Sequence, residues 1–496
     1  MENNKANKVY KVVMLILITA IVTFMITSIG MYNYFVKTNQ GRIAVVESIE
    51  KNGDDYSMLN AKLQIVKDYL KDNYIGELNL DKMIEGAIKG YVEGVGDDYT
   101  EYLSKDEYEE LIVNVTGDFV GIGVYIYKDK DGNLIVLAPM ENSPSEEAGI
   151  EAGDRILAID GENCNEMDIN VASSKIKGEA GSTVELEIQR GTETLKKTVT
   201  RRTVEISDSA SKILDGNIGY IVLSTFDTDC SKKIEKYMEE FQSKGINSVI
   251  LDLRNNPGGR LDTAINIVEE FLSDGKIVYT RGRTKNENQD YFASRKGDEW
   301  TKGDMLVLVN QYSASASEIL AGALQDNKRA KLLGETTFGK FSVQYVLPLD
   351  SRDNTSFKFT VAHYYTPNGR RLHGRGITPD YVVVEEKLSA SDITALTELR
   401  KSGQISSYVK RYPNESSDAS ALPRFKEELR DKNILPSDYL LERLIYNERN
   451  LGNYNEIVDM RYDKQLKAAI NYLETGKEPP QDKEEPRENW STESEE

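Results

Sequence analysis

Histidine is almost absent from this chain of 496 residues, which contains two histidines, two cysteines and two tryptophans. Two cysteines and two histidines do not make a metal-binding cluster with usable spacing, so the sequence predicts neither a metal nor another cofactor. Cys164 and Cys230 fall in segments of different character, which argues against a disulfide framework. Acidic residues outnumber basic ones by 82 to 62, which gives a net charge of −20. Nucleic-acid binding is therefore not expected, since no basic patch stands out to contact a phosphate backbone.

One long uncharged run is present near the start of the chain. Three lysines precede residue 12, and residues 12–32 then carry no charge over 21 positions. This run is long enough to cross a bilayer as a helix. The preceding lysines predict a cytoplasmic N-terminus. We expect an anchor over residues 12–36, with everything after it outside the cytoplasm. The alternative is a cleaved signal peptide, for which Ser28-Ile29-Gly30 is a passable site.

A turn of small residues, SASAS, joins a predicted strand at 305–309 to a predicted helix at 317–325. Ser315 lies at this bend and could present its hydroxyl as a nucleophile. The N–H of Ala316 and the positive end of the helix dipole would then point at an oxyanion formed beside it. A second interpretation stays open, because Ser315-x-x-Glu318 also fits a capping box with a structural role only.

A nucleophilic serine needs a base, and the scarcity of histidine makes a lysine the economical choice. Lys340 is flanked by Phe338 and Phe341, which would lower its pKa by removing water. Gln344 lies four residues on, so in a strand it shares a face with Lys340 and could orient its amine. The alternative is an ordinary solvated lysine at a strand edge.

The phrase SASASEILAGALQD, followed by GETTFGK and then VQ, resembles the C-terminal processing peptidases, which are also called tail-specific serine proteases. The resemblance implies Ser315 as nucleophile, Lys340 as general base and Gln344 as the residue that positions the lysine. One departure is visible, because the family usually has Gly directly after the catalytic Lys and this chain has Phe341.

Two further phrases resemble the same family. The stretch LRNNPGG ends a buried strand in a tight turn, and the resemblance implies that Gly258 or Gly259 joins Ala316 in the oxyanion hole; a plain turn is the alternative. The stretch YYTPNGRRLHGRGITPD matches the segment after the dyad strands. His363 and His373 lie in and beside this structural phrase, which weakens a Ser-His-Asp triad.

The phrase SPSEEAGIEAGDRILAIDG resembles a PDZ domain, a module that adds a C-terminal peptide as a strand along one edge. The resemblance implies a carboxylate-binding loop at Gly121-Ile122-Gly123 and a groove beside a helix near residues 172–176. The alternative is that these glycines only make a bulge or a turn. Lys177 stands where many relatives have an Arg that couples the PDZ domain to the protease.

The sequence thus predicts a multidomain protein. Its fold class combines an N-terminal transmembrane helix, a helical N-terminal region, a β-rich PDZ domain, an α/β protease core of the tail-specific type and a helical C-terminal region. The predicted boundaries are 1–11 for the cytoplasmic N-terminus, 12–36 for the transmembrane anchor, 37–104 for the helical region, 105–205 for the PDZ domain, 206–384 for the core, 385–476 for the helical C-terminal region and 477–496 for an acidic disordered tail.

The predicted function is that of a membrane-anchored serine endopeptidase, which recognises protein C-terminal tails through its PDZ domain and cleaves through an acyl-enzyme. The expected partners are proteins or peptides with free C-termini, and the membrane through the N-terminal helix. An apolar stripe at Leu63, Val66 and Leu70 suits either a core or a homodimer contact. Two alternatives remain, a catalytically inactive PDZ scaffold of the same fold and a Ser/His hydrolase.

Overall fold

The structure is a computed structural model that describes residues 55–484, apart from 130–131, 141, 165–166, 206–207, 295–299, 301–302, 351–353, 371–372, 387 and 450–459. The chain divides into two compact units, Met1–Tyr91 and Val92–Glu496. Within the first unit lie helix α1 (Asp55–Asn73) and most of helix α2 (Leu80–Glu93).

The predicted transmembrane helix is the part of the fold class that needs correction. No helix in the described part of the chain is long and apolar enough to cross a membrane. Helix α1 has 19 residues, but aspartates and lysines recur along it, and burying charged side chains in hydrocarbon is costly. The anchor predicted over residues 12–36 lies outside the described residues. The location derived from it, at the cell membrane with the catalytic part outside the cytoplasm, stays a prediction.

The second unit begins with β1 (Glu101–Leu103) and α3 (Lys105–Thr116), followed by a β-rich region. Its elements are β2 (Asp118–Gly121), β3 (Val124–Lys128), β4 (Leu134–Pro139), α4 (Pro144–Glu147), β5 (Arg155–Ile159), β6 (Glu162–Asn163), α5 (Ile169–Ile176), β7 (Thr183–Arg190), β8 (Glu193–Thr200) and β9 (Arg202–Glu205). Strands β3-β4-β5-β7-β8 form an antiparallel sheet, and β6 pairs with β5. Alternating apolar residues of this sheet pack on α5 in a separate core. Strands β2 and β9, which enter and leave this region, pair antiparallel with each other.

The next part alternates strands with helices. Its elements are β10 (Ser209–Leu214), β11 (Ile218–Leu223), α6 (Cys230–Ser243), β12 (Ser248–Asp252), α7 (Leu261–Phe271), β13 (Lys276–Gly282), a short 3-10 helix (Lys285–Glu287), β14 (Asp290–Phe292), β15 (Asp304–Val309), α8 (Ala316–Asp326), β16 (Lys331–Gly334), β17 (Ser342–Asp350), β18 (Thr355–Tyr365) and β19 (Tyr381–Val382). Strands β11-β12-β15-β16-β19 are parallel, and β10 adds antiparallel to β11. Sequence alternation predicted this α/β core with parallel pairing.

A second, antiparallel sheet has the order β1-β18-β13-β14, with β17 paired to β18. The chain ends in α9 (Ala390–Ser402), α10 (Gln404–Arg411), α11 (Glu415–Asp431), α12 (Asp438–Arg449) and α13 (Lys464–Thr475). Helices α9 to α12 share a core of their own. Helix α13 instead packs Leu466, Ala469 and Ile470 on the parallel sheet, on the face opposite to α6, α7 and α8. The strands of that sheet are therefore buried on both faces.

Candidate active site

Ser315 lies at the end of the turn that joins β15 to α8, and its backbone is strained. Its φ and ψ are 55° and −113°, a region that residues other than glycine rarely adopt. A sharp strand-to-helix turn exposes a side chain at the end of a sheet, which is how α/β-hydrolases present their nucleophile. The flanking residues hold the turn in place, because Ser313 Oγ donates to Leu253 O at 2.8 Å and Ser317 Oγ donates to Asn256 O at 2.9 Å.

The turn therefore rests on the segment LRNNPGG, residues 253–259, which follows β12. A side chain at Gly258 would place its Cβ 2.8 Å from Ser315 Cβ and 3.0 Å from Ala316 N, so only glycine allows this approach. The N–H of Gly258 already donates to Asn256 Oδ1 at 2.9 Å. The N–H groups of Gly259 and Ala316 donate to no other described residue. Of the two predicted glycines, Gly259 thus has the available donor, while Gly258 provides the close approach.

Lys340 lies in the loop 335–341 between β16 and β17, which we call the base loop. Its Nζ is 4.6 Å from the ring centroid of Tyr99, on the ring face. Burial lowers the pKa of Lys340 below its usual value, and the positive charge of Lys358 lowers it further. The carboxylates of Glu101, Glu318 and Asp97 oppose this shift. Among the described residues, no hydrogen bond joins the side chains of Ser315 and Lys340 directly.

Two buried side chains nevertheless connect Ser315 to Lys340. The Glu318 carboxylate accepts the Ser315 N–H and the Lys340 N–H, each at 2.9 Å. The Tyr364 hydroxyl lies 3.1 Å from Ser315 O and also hydrogen-bonds Lys340 O. A third link is direct, because the Phe338 N–H donates to Ser313 O at 2.9 Å. The turn and the base loop are therefore held as one structure.

Glu318 is fully buried in this structure. Besides the two N–H groups above, its carboxylate accepts the Gly339 N–H at 2.7 Å and the Thr337 hydroxyl at 2.6 Å. Burial raises its pKa to about 7, while these hydrogen bonds act in the opposite direction. The contact predicted for a capping box is present, since Glu318 accepts the Ser315 N–H. Capping and nucleophilic roles for Ser315 are thus compatible.

Gln344 does not hydrogen-bond Lys340 in this structure. Its Nε2 donates to Ser342 Oγ at 2.8 Å and lies 3.4 Å from Thr360 Oγ1. The register of β17 shifts between Val343 and Gln344, and a shift of this kind changes which residues share a face. Its predicted role as the residue that orients the amine stays a prediction.

Phe341 occupies a place in the core of the protein. It is 2% exposed and stacks on His363 with ring centroids 4.3 Å apart, while His373 meets it edge-on at 4.5 Å. Phe341 is not among the residues with positive φ, and Gly339, with a φ of 96°, supplies the bend of the base loop. The backbone at position 341 therefore does not require glycine, and both histidines pack around the aromatic ring that replaces it.

The predicted carboxylate loop lies between β2 and β3. Ile122 is fully buried, and Gly123 has a φ of 72° with no room for a side chain, because a Cβ would lie 2.4 Å from Ser143 Cβ. The carbonyls point inward and accept hydrogen bonds from Ser145 and Met140. The N–H groups of Ile122 and Gly123 donate to no other described residue. Strand β3 pairs only with β4 in the described part of the sheet, so one edge remains for an added peptide.

Sequence reasoning missed Glu318, Tyr364 and Tyr99 as parts of the site. Glu318 was visible only as the third residue of a possible capping box. Tyr99 lies far from Lys340 in the sequence, and no local pattern placed its ring at the lysine. Tyr364 is the first residue of the phrase YYTPNGRRLHGRGITPD, but no local pattern indicated that its hydroxyl contacts the carbonyls of Ser315 and Lys340.

Comparison with known proteins gives three family matches. The description "Peptidase family S41" matches residues 217–383, a PDZ domain matches residues 135–190, and the "activating protease CtpB N-terminal domain" matches residues 16–107. The first two matches fall on the α/β core and on the separate β-rich region.

Several whole proteins are also similar to this chain. The carboxyl-terminal-processing protease of Synechocystis sp. is 39% identical over 316 residues, which cover 62% of this chain and 73% of that protein. The carboxy-terminal-processing protease of Bartonella bacilliformis is 35% identical over 364 residues, covering 71% and 82%. The carboxy-terminal processing protease CtpA of Bacillus subtilis is 34% identical, covering 64% and 67%. A solved structure, the photosystem II D1 C-terminal processing protease, is 27% identical, with a TM-score of 0.39 and coverage of 70% and 93%.

Proposed function

Because this chain belongs to peptidase family S41, as a C-terminal processing serine protease with a PDZ domain, we propose that Ser315 and Lys340 form its catalytic dyad. The observation that carries this proposal is the pair of partners that the two residues share. Glu318 accepts both N–H groups and the Tyr364 hydroxyl contacts both carbonyls. The strained backbone of Ser315 supports the same assignment, since such strain clusters at active sites.

In the proposed reaction the neutral amine of Lys340 takes the proton from Ser315 Oγ as the oxygen attacks the scissile carbonyl. The carbonyl oxygen becomes an oxyanion, which the N–H groups of Ala316 and Gly259 stabilise at the start of α8. When the C–N bond breaks, the Lys340 ammonium protonates the leaving amine. Water then attacks the acyl-enzyme with Lys340 again as base, which releases the second product and restores Ser315.

The environment of Lys340 suits this role. A lysine with its ordinary pKa would be almost wholly protonated at neutral pH and could not accept a proton. Burial and the charge of Lys358 lower the pKa, so a larger share of the enzyme holds the neutral amine. The Tyr99 ring, which lies on Nζ, excludes water but also favours the ammonium through its π face. The ring therefore stabilises Lys340 in the step of the reaction in which its amine is protonated.

We further propose that the PDZ domain captures the free C-terminus of the substrate. The support for this is the pair of N–H groups at Ile122 and Gly123, just before edge strand β3, which donate to no other residue that the structure describes. A terminal carboxylate would accept from these groups, and the preceding residues would pair with β3. The substrate class is then a polypeptide with an accessible, extended C-terminal tail.

The dyad is tested by single and double substitution. Ser315→Ala and Lys340→Ala should each remove nearly all turnover of an unfolded protein substrate, and the double variant should be no worse, because residues that act as a unit are non-additive. Lys331→Met, on the neighbouring strand β16, is the matched control for loss of a lysine and should retain activity. Full activity in Ser315→Ala would overturn the proposal. Activity retained in Lys340→Ala but lost in His363→Ala or His373→Ala would show a Ser/His hydrolase instead.

Tail capture is tested by changing the end of the substrate. Amidation of the C-terminus removes the charge that the loop N–H groups would bind, so kcat/KM should fall, mainly through KM. A short internal peptide that does not reach the PDZ domain is the control and should be cleaved equally well in both forms. Equal rates for the acid and amide of a long substrate would show that the PDZ domain does not read the terminus. Tail binding without any Ser315-dependent turnover would indicate an inactive scaffold.

A further inference from the structure

Residues 477–484, which follow helix α13, run along the outer edge of the parallel sheet, and we call them the C-terminal strap. Gln481 Oε1 accepts the Val382 N–H at 2.8 Å, and the Asp482 N–H donates to Val382 O at 2.8 Å. The Asp482 carboxylate accepts the Val384 N–H at 2.9 Å. The strap therefore satisfies backbone groups of the short edge strand β19, which would otherwise be open to another chain.

The end of the strap reaches the base loop. Glu484 Oε2 accepts a hydrogen bond from the Thr336 hydroxyl at 2.5 Å, and Glu484 Oε1 accepts the Thr336 N–H. Thr336 is 8% exposed, so this contact is shielded from solvent at the threonine. Thr336 lies four residues before Lys340 in the sequence.

The next residue of the base loop is held by a second carboxylate. Thr337 Oγ1 donates to Glu318 at 2.6 Å, and the same carboxylate accepts the Lys340 N–H. Two consecutive threonines are thus bound by two glutamates from distant parts of the chain. Glu318 fixes the loop from the nucleophile side, and Glu484 fixes it from the outside.

The contact with Glu484 is of a strong kind. Hydrogen bonds to an ionised carboxylate are roughly twice as strong as neutral ones. Removing the Glu484 carboxylate would break two hydrogen bonds to Thr336, a residue that is largely buried. Without Glu484, the loop would relax at its first residues, and water would reach further toward Lys340.

We propose that Glu484 is a positioning residue for Lys340, which acts by holding the base loop through Thr336. This inference rests on the proposed roles of Ser315 and Lys340. It assigns a function to a segment whose composition indicates disorder. A different role for the strap, as a cover for the edge of β19 alone, predicts that Glu484 affects stability without affecting the chemistry at Lys340.

Point variants of the full chain separate these roles. Glu484→Ala should lower kcat about tenfold with KM nearly unchanged, and should move the rising limb of kcat/KM to higher pH, because a wetter Lys340 has a higher pKa. Thr336→Val should act in the same direction, and the double variant should be no worse than Glu484→Ala. Glu478→Gln is the matched control, since this strap carboxylate contacts the Tyr381 hydroxyl on β19; it should leave kcat and the pH profile unchanged.

Rescue by a peptide gives a second measurement. A variant that ends after Gly476 should lose activity like Glu484→Ala, and a synthetic peptide of residues 477–484 should restore kcat saturably. The peptide is amidated so that the PDZ domain does not capture it. The same peptide with Glu484→Ala should not restore kcat.

Two outcomes would overturn the inference. One is an unchanged kcat and pH profile in Glu484→Ala while Ser315→Ala remains inactive, which refutes the role of Glu484 and leaves the proposed function intact. The other is equal rescue by both peptides. If the shortened variant does not fold, as judged by circular dichroism, the point variants alone decide.

Discussion

At the scale of single residues, Lys340 is placed between opposing charges. Lys358 lies on β18, where it forms an ion pair with Glu101 of β1. The positive charge of Lys358 lowers the pKa of Lys340, and the negative charge of Glu101 raises it. The Lys358–Glu101 ion pair therefore adjusts the fraction of Lys340 that is neutral through its charges alone.

This arrangement predicts opposite effects for the two members of the ion pair. Lys358→Met removes a repelling charge, so the pKa of Lys340 should rise and the rising limb of kcat/KM should move to higher pH. Glu101→Gln removes a favourable charge, so the limb should move to lower pH. The measurement is the pH profile of kcat/KM on a peptide without ionisable side chains. Shifts of the same sign in both variants would contradict this account of the lysine.

The sequence predicted some of these residues and could not predict others. Ser315 and Lys340 stand in short phrases whose local chemistry suggests their roles. The positions of Tyr99, Glu318 and Tyr364 depend on contacts between elements far apart in the chain, which no local pattern encodes. The predicted cover of Lys340 by Phe338 and Phe341 illustrates the difference, because Phe341 turns into the core against His363.

At the scale of elements, the loop after β12 approaches the start of α8 closely. Gly258 has a φ of 108°, and a Cβ at this position would meet the turn at Ala314, Ser315 and Ala316. Gly258→Ala would bring its Cβ within 2.7 Å of Ala314 O, so the turn that carries Ser315 must move.

We expect Gly258→Ala to lower kcat at least a hundredfold, because small displacements of reacting groups have effects of this size. The matched control is Gly153→Ala, which has a φ of 90° and no atom within 4 Å of the added Cβ. Gly153→Ala places a side chain at a positive φ but creates no contact with a neighbouring atom, so it should lower stability and leave kcat unchanged. The check is kcat together with the melting temperature for both variants. Equal kcat values would contradict the importance of the contact.

Elements were predicted unevenly, for physical reasons. Helix α8 was predicted over residues 317–325 and is observed at Ala316–Asp326, because apolar periodicity and the preceding turn of small residues define it locally. Residues 477–484 were predicted as part of a disordered tail, because their composition is charged and rich in proline. Their path depends on unpaired backbone groups of β19, and composition contains no information on such a distant partner.

At the scale of the whole molecule, the PDZ region is joined to the protease core through β2 and β9, and a buried carboxyl pair lies where these strands meet the core. The Asp227 side chain lies against Gly117, just before β2, and close to the carboxylate of Asp208, which follows β9. Lys233 Nζ pairs with Asp208 at 2.8 Å. Asp208 Oδ2 has no donor in the described part of the chain, so the pair favours a shared proton.

Because the folded protein binds a proton at the Asp227–Asp208 pair, the free energy of unfolding depends on pH. Burial and the neighbouring Asp208 raise the pKa of Asp227 from 3.8 to about 6. The folded protein therefore binds this proton more tightly than the unfolded chain. Its contribution to the free energy of unfolding is fully present below about pH 4 and is lost as the pH rises through about 6, at about 1.4 kcal/mol per pKa unit.

Asp227→Asn should flatten this part of the stability profile and raise stability at pH 7, because an amide can donate to Asp208 without ionising. Asp229→Asn is the control on the same loop. Its carboxylate has a lowered pKa through Lys232, so this variant should leave the slope between pH 4 and 6 in place. Urea unfolding across this range is the measurement. An unchanged slope in Asp227→Asn would contradict the assignment.

The domain composition was predictable, because PDZ and S41 phrases are specific, whereas the arrangement of the connections was not. The predicted domain boundaries, the homodimer contact and the absence of nucleic-acid binding stay predictions. The transmembrane anchor was predicted from hydropathy alone. An uncharged run is long enough to enter a bilayer, but its composition does not show which structure it adopts.

Glu318 accepts hydrogen bonds from both the Ser315 turn and the base loop. This has a consequence for chimeric proteins in which segments are exchanged between related proteases. A chimera that takes residues 310–318 from one protease and 335–341 from another separates an acceptor from the donors that fit it, even when Ser and Lys are both present. We expect such hybrids to fold around the unaltered sheet and yet turn over slowly. Exchanging both segments together should restore turnover, because the two loops then come from the same protease and fit each other.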